Sequence, residues 1–129
     1  MTPPLHRVLF ADDAADIRLV ARLALEKVGG FAVRPCASGE EAVAAAAEFG
    51  PDIILLDVMM PGWDGPRTLA ELRARADLAA IPVAFFTGRT EPAEVDRFTA
   101  LGAIGVLAKP FDAMKLAGDL RALWARHHG

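Results

Sequence analysis

The sequence predicts a doubly wound α/β fold, five βα repeats around a parallel sheet, and three observations lead to it. Five short apolar runs alternate with amphipathic helical segments along the chain. The middle run, Ile53-Ile54-Leu55-Leu56, is apolar at every position, as expected of a strand covered by helices on both faces. Polar groups of a particular kind follow the runs: Asp12-Asp13 the first, Asp57 the third, Thr87 the fourth and Lys109 the fifth. Right-handed crossovers place all strand C-terminal ends along one edge, so these side chains converge there.

In chain order, the first strand is expected over His6 to Phe10, followed by a helix that ends at Gly29-Gly30. The second strand spans Phe31 to Cys36. Ser38 with Glu41 then forms a capping box for a helix whose interior, Ala42 to Ala47, is rich in the best helix former. The third strand, Ile53 to Leu56, delivers Asp57 into the turn Val58-Met59-Met60-Pro61-Gly62-Trp63-Asp64-Gly65. The fourth covers Pro82 to Phe86, Thr90 before Glu91-Pro92 supplies a cap for the fourth helix, and Gly102 ends that helix. The fifth is Gly105 to Ala108, and Asp112 opens the last helix. Spacing alone fits either strand order of the doubly wound class.

The chain of 129 residues is expected to be one domain, 1-129 with a core of about 6-126, and to leave no room for an output domain. Fourteen basic against 17 acidic residues give a net charge of -3, which argues against direct nucleic-acid binding. The lone Cys36 cannot close an internal disulfide, and Pro3-Pro4 interrupts the N-terminus where a signal peptide needs an apolar stretch. Although 53% of residues are hydrophobic, charges, Pro and Gly break every run before bilayer length. A cytoplasmic protein without membrane insertion is expected.

Asp12, Asp13 and Asp57 brought together would repel one another unless a cation intervened. An all-oxygen set suits Mg2+, with Mn2+ as a substitute, whereas zinc would call for His or Cys. A carboxylate can attack phosphorus to give an acyl phosphate, and Asp57 stands where that nucleophile would be needed. Lys109 and Thr87 would serve two phosphoryl oxygens and the metal a third. Taken singly, each of these residues is ordinarily a turn, cap or ion-pair residue. Acids at two strand ends, a hydroxyl at the next and a lysine at the last favour function.

Phe10-Ala11-Asp12-Asp13, Leu55-Leu56-Asp57-Val58-Met59-Met60-Pro61-Gly62, Phe86-Thr87-Gly88 and Ala108-Lys109-Pro110-Phe111 together resemble the receiver domain of bacterial two-component response regulators, and the resemblance runs from Val8 to about Trp124. It implies a flavodoxin-like sheet in the order 2-1-3-4-5. It also implies a phosphoryl group taken by Asp57 from a sensor histidine kinase or histidine phosphotransfer protein, and a downstream protein target. Further implications are Mg2+ bound directly by Asp13, Asp57 and the carbonyl of Met59, with Asp12 acting through a metal-bound water. The Lys109-Pro110 bond would be cis, Gly88 would leave space for the incoming phosphohistidine, and the protein would be a monomer or a weak phosphorylation-dependent dimer.

One departure concerns the switch. Many receivers carry an aromatic residue three positions before the strand-five lysine, where this chain has Val106, too short to sweep the same arc. The signal would then travel through the Thr87 to Thr90 loop. Met59 and Arg89 occupy the positions that tune access of water to the acyl phosphate, and both are expected to shield it. Trp63 is expected to report binding by fluorescence against the background of Trp124, and His127-His128 to be a frayed tail.

The function expected is a stand-alone phosphoacceptor switch acting through the face of helix four, strand five and helix five, with Asp96, Arg97, Lys115 and Asp119 as surface candidates. A phosphorelay intermediate is the nearest variant. An aspartyl-phosphate phosphatase would need Asp-x-Asp after one strand and a covering cap, where this chain has adjacent Asp12-Asp13 and no length for a cap. A mononucleotide carrier would want Ser, Thr or Gly donors in the first loop, which is acidic here. A pseudo-receiver is disfavoured because all five site residues are present. The expected protein is not an enzyme beyond its own phosphorylation and slow dephosphorylation.

Overall fold

The computed structural model describes residues 2-129. The elements alternate as foreseen: β1 (Arg7–Ala11), α1 (Ala15–Leu23), β2 (Ala32–Cys36), α2 (Gly39–Phe49), β3 (Ile53–Asp57), α3 (Gly65–Arg73), β4 (Val83–Thr87), α4 (Pro92–Ala100), β5 (Gly105–Ala108) and α5 (Leu116–His128). All neighbouring strands are parallel, in the order β2-β1-β3-β4-β5.

Strand alternation divides the interior into two cores. Val8, Phe10, Ile53, Leu55, Phe86 and Leu107 face α1 and α5, where Leu25, Leu120 and Trp124 meet them. Leu9, Ile54, Leu56, Val83 and Phe85 face α2, α3 and α4, against Ala42, Leu69, Leu72 and Phe98. Every residue of β3 and β4 is buried, which explains why these two runs lack polar alternation.

Local chemistry moves several boundaries. The Asp52 carboxylate accepts from the backbone N–H groups of His6 and Arg7 at 2.9 and 2.8 Å, so β1 begins at Arg7 and runs on to Ala11. Pro82 has no N–H, and β4 starts after it. α1 does not end at Leu23 but continues into a π-helical turn, Ala24–Val28, closed by Gly29 and followed by Gly30 at φ 71°. Capping also differs in detail from expectation. Ser38 does accept from Glu41 N–H at 3.1 Å, but the Glu41 carboxylate reaches one residue further back, to Ala37 N–H at 2.9 Å. The N-cap of α4 is Glu91 rather than Thr90, with no side-chain capping bond. Asp112 caps a separate turn, accepting from Met114 N–H at 2.9 Å, and α5 begins only at Leu116. Asp64, a loop residue in the sequence reading, caps α3 through Arg67 N–H at 2.8 Å.

Candidate functional site

Register places the site. Ala11 is level with Leu56 of β3, so Asp12 and Asp57, each one residue on, emerge side by side. Asp57 pairs with Phe86 and Thr87 with Ala108, which brings Thr87 and then Lys109 one step beyond on the same edge. The Lys109-Pro110 bond is cis. All five residues that sequence reasoning assigned to this edge are therefore neighbours.

The ammonium of Lys109 donates to Asp12 Oδ2 at 2.7 Å and lies 3.4 Å from Asp57 Oδ1. Asp12 is fully buried; its other oxygen accepts from Ala14 N–H at 2.9 Å, and its backbone carbonyl accepts from Arg18 at 2.8 Å. Both Asp12 oxygens are thus engaged. Asp13 is exposed, and carboxylate oxygens of Asp12, Asp13 and Asp57 lie within 4.8 Å of one another. Two buried acids and an exposed one at this separation, all oxygen donors, fit a hard divalent cation.

Burial raises the Asp57 pKa, and the neighbouring Asp12 charge raises it further, while Lys109 and a backbone contact from Met59 work the other way. Burial pulls Lys109 down, but its hydrogen bond to Asp12 and the charges of both carboxylates outweigh this, so its pKa ends above the ordinary lysine value. The cluster therefore favours the charged ammonium, while the Asp57 carboxylate is ionised against its surroundings.

The hydroxyl of Thr87 accepts from Arg89 N–H at 2.9 Å, which orients its oxygen and leaves its own proton free to donate. Gly88 has neither a left-handed φ nor a close neighbour: a Cβ there would lie 3.6 Å from the Lys109 carbonyl, an ordinary contact. Nothing within the fold requires glycine at this position, and the space beside it opens onto the site.

Asp57, Thr87 and Lys109 stand at one end of a cleft of about 480 Å³, also lined by Val58, Met59, Gly88, Arg89, Glu94, Arg97 and Phe98. Met59 is 80% exposed. Glu94 and Phe98 were not singled out from the sequence, and Arg97 was singled out only as a surface charge. Their i, i+3, i+4 spacing on α4 was the available signal, since it puts all three on one helix face. Val106 is half-buried against the α4 side of the sheet. Asp96, Lys115 and Asp119 are exposed. Trp63 is half-buried below the guanidinium of Arg67, 5.0 Å from its ring centroid. His128 engages the Trp124 carbonyl at 2.9 Å, and its ring lies 4.2 Å from the Trp124 ring centroid at a tilt of 48°, with α5 running to His128.

Comparison with known proteins places this geometry. Residues 8–121 match the family model of the response regulator receiver domain. The transcriptional regulatory protein CseB of Streptomyces avermitilis is 37% identical over 119 residues, which cover 92% of this chain and 49% of that protein. ResD of Bacillus subtilis is 32% identical over 120 residues, covering 93% and 48%. The chain thus spans about half the length of these relatives. Among solved structures, the chemotaxis response regulator CheY4 of Vibrio cholerae superposes with a TM-score of 0.84 at 31% identity, covering 93% of this chain and 99% of that one. A response regulator from Chloroflexus aurantiacus gives 0.82 at 29% identity, over 95% and 100%. With five parallel strands in the order 2-1-3-4-5 and an acidic pocket at their C-terminal edge, the chain belongs to the response regulator receiver domain family of two-component signalling systems.

Proposed function

We propose that this receiver is a phosphoacceptor switch in which Asp57 takes a phosphoryl group from a phosphohistidine of a sensor kinase or phosphotransfer protein. The observation that carries the reading is the Lys109 ammonium bridging Asp12 at 2.7 Å and Asp57 at 3.4 Å beside an exposed Asp13. A Asp57 carboxylate oxygen attacks phosphorus in line with the departing imidazole nitrogen; a P–O bond forms as the P–N bond breaks, and the histidine keeps the electron pair. Lys109 then sits beside one phosphoryl oxygen. Thr87, whose oxygen already accepts from Arg89, donates its hydroxyl proton to another.

Asp13, Asp57 and the Met59 carbonyl would hold Mg2+, or Mn2+ in its place, and Asp12 would act through a bound water. That last assignment is supported by the engagement of both Asp12 oxygens by protein donors. When bound, the cation neutralises charge on a phosphoryl oxygen. Gly88 leaves room for the donor imidazole, a role favoured by the lack of any internal demand for glycine there. Met59 and Arg89, both exposed at the cleft, are assigned to shielding the acyl phosphate from water.

With Val106 at the position where many receivers swing an aromatic ring, the loop from Thr87 to Thr90 and α4 transmit the change to a protein target at the face of α4, β5 and α5. We assign residues 1-129 to one signalling unit, without further enzymatic activity. No helix among the described residues is long and apolar enough to cross a membrane.

Intact-mass analysis after incubation with acetyl phosphate and Mg2+ tests the reading. One phosphoryl adduct is expected on the wild type and none on Asp57→Asn or after chelation of the metal. An adduct that persists in Asp57→Asn would reject Asp57 as the acceptor.

A further inference from the structure

The cleft beyond Asp57 holds more positive charge than the phosphoacceptor chemistry uses. Facing into it are the acids Asp57 and Glu94 and the cations Arg89, Arg97 and Lys109. Lys109 is already divided between two carboxylates. Phosphorylation of Asp57 would replace a singly charged carboxylate with an acyl phosphate carrying up to two charges and three free oxygens; Lys109, Thr87 and a cation supply one partner to each, and each oxygen can accept a further donor.

Arg97 is a cleft cation whose present partner is easily exchanged. Among the described residues its only ion pair is one contact of Nη2 with Glu94 Oε2 at 3.3 Å, between neighbours on the same helix, and its side chain is 55% exposed. Such pairs are weak. The guanidinium also lies 4.5 Å from the ring centroid of Phe98, which is 1% exposed and fixed edge-on against Phe85 at 5.0 Å. A planar guanidinium keeps that stack while rotating its outer N–H groups from one anion to another. The N-terminus of α4, moreover, has no side-chain capping bond to hold its first turn.

We propose that Arg97 is a phosphoryl-binding residue held in reserve, paired with Glu94 while Asp57 is free and turned on Phe98 to take a phosphoryl oxygen once Asp57 is phosphorylated. The role rests on the phosphoacceptor reading above. It links the chemistry at β3 directly to α4: loss of the Glu94 contact and gain of the phosphoryl contact move the guanidinium within the cleft from a partner on α4 to one on β3. Glu94 acts as a competitor, so its removal strengthens anion binding.

The test is the affinity of the full chain for beryllofluoride, a phosphoryl mimic, in the presence of Mg2+, followed by Trp fluorescence, with the rate of phosphorylation by acetyl phosphate read by mass. Arg97→Gln is expected to weaken binding about tenfold and Glu94→Gln to tighten it about threefold. The double variant is expected to behave as Arg97→Gln, and Arg97→Lys to recover part of the loss. A purely structural ion pair would make the two single variants move in the same direction, and that outcome, or no change in either, overturns the proposal. In the wild type, the Arg97 side-chain N–H resonance is expected to shift on adding beryllofluoride; a resonance that stays in place also counts against it. A wild type that neither binds beryllofluoride nor takes a phosphoryl group overturns the phosphoacceptor reading itself, and the role of Arg97 with it.

Discussion

At Asp57 two demands oppose each other: burial favours the neutral acid, while the proposed nucleophilic attack on phosphorus needs the carboxylate. Its raised pKa means that the folded chain binds this proton more tightly than the unfolded chain. Stability is therefore lost as pH rises from the ordinary carboxylate value of 3.8 through the higher folded value. Asp57→Asn, which cannot ionise, is expected to melt at a higher temperature than wild type at about pH 7, and the gap to narrow towards about pH 4. Equal melting temperatures across that range would contradict this account. Lys109 has a linkage of the same sign in a higher pH window. Its raised pKa gives stability that is present below the ordinary lysine value of 10.5 and lost as pH rises through the folded value above it. Lys109→Met leaves fully buried Asp12 without its cation and Asp57 beside an unscreened neighbour, and is expected to cost about 2 kcal/mol in urea unfolding. Asp57, Thr87 and Lys109 were legible in the sequence because each ends an apolar run, and the crossover rule sends such residues to one edge. That Lys109 lies closer to Asp12 than to Asp57 was not legible, since it depends on how the side chain packs.

The start of α3 packs closely against the backbone at Asp57. Gly65 begins it, and a Cβ there would stand 2.8 Å from the Asp57 carbonyl, 3.0 Å from Phe85 and 3.0 Å from the Val58 backbone. Two of these neighbours are backbone and cannot swing away. Gly65→Ala is expected to destabilise the fold by about 2 kcal/mol and to displace the loop carrying Met59, lowering the yield of phosphoryl adduct. A fully stable variant with normal adduct formation would show that the loop yields freely. At α2, Ser38→Ala removes the bond to Glu41 N–H and is expected to cost about 1 kcal/mol by chemical denaturation. The capping motif at Ser38 was readable because its chemistry is local. The true starts of α4 and α5 were not: Thr90 and Asp112 are good capping residues by type, but the chain reaches α4 through Glu91-Pro92 and spends Asp112 on a turn before α5. Nor did the spacing of apolar residues reveal the π turn after α1, where one extra residue per turn lets Leu25 reach the core and Gly29 close the end.

For the molecule as a whole, the proposed cation site would tie stability to the cation. A ligand that binds only the folded chain raises its stability with concentration, by about 2.7 kcal/mol at a hundredfold excess over Kd. Mg2+ is expected to raise the melting temperature of the wild type and to do so far less in Asp13→Asn, which removes the exposed carboxylate but leaves the Lys109 bridge between Asp12 and Asp57 intact. An equal shift in both proteins would remove Asp13 from the metal site.

The sequence by itself determined the class of fold, the alternation of elements and the chemistry gathered at the strand ends, because apolar period and chain handedness are properties of short segments. Strand order was beyond spacing alone, and the resemblance to receivers supplied it. Tertiary structure decided the rest: which carboxylate Lys109 holds closest, which face of α4 turns Glu94, Arg97 and Phe98 into the cleft, and why Gly88 has free space beside it. These depend on the angle and distance at which whole elements pack, and no local pattern encodes a distance between residues separated by tens of positions.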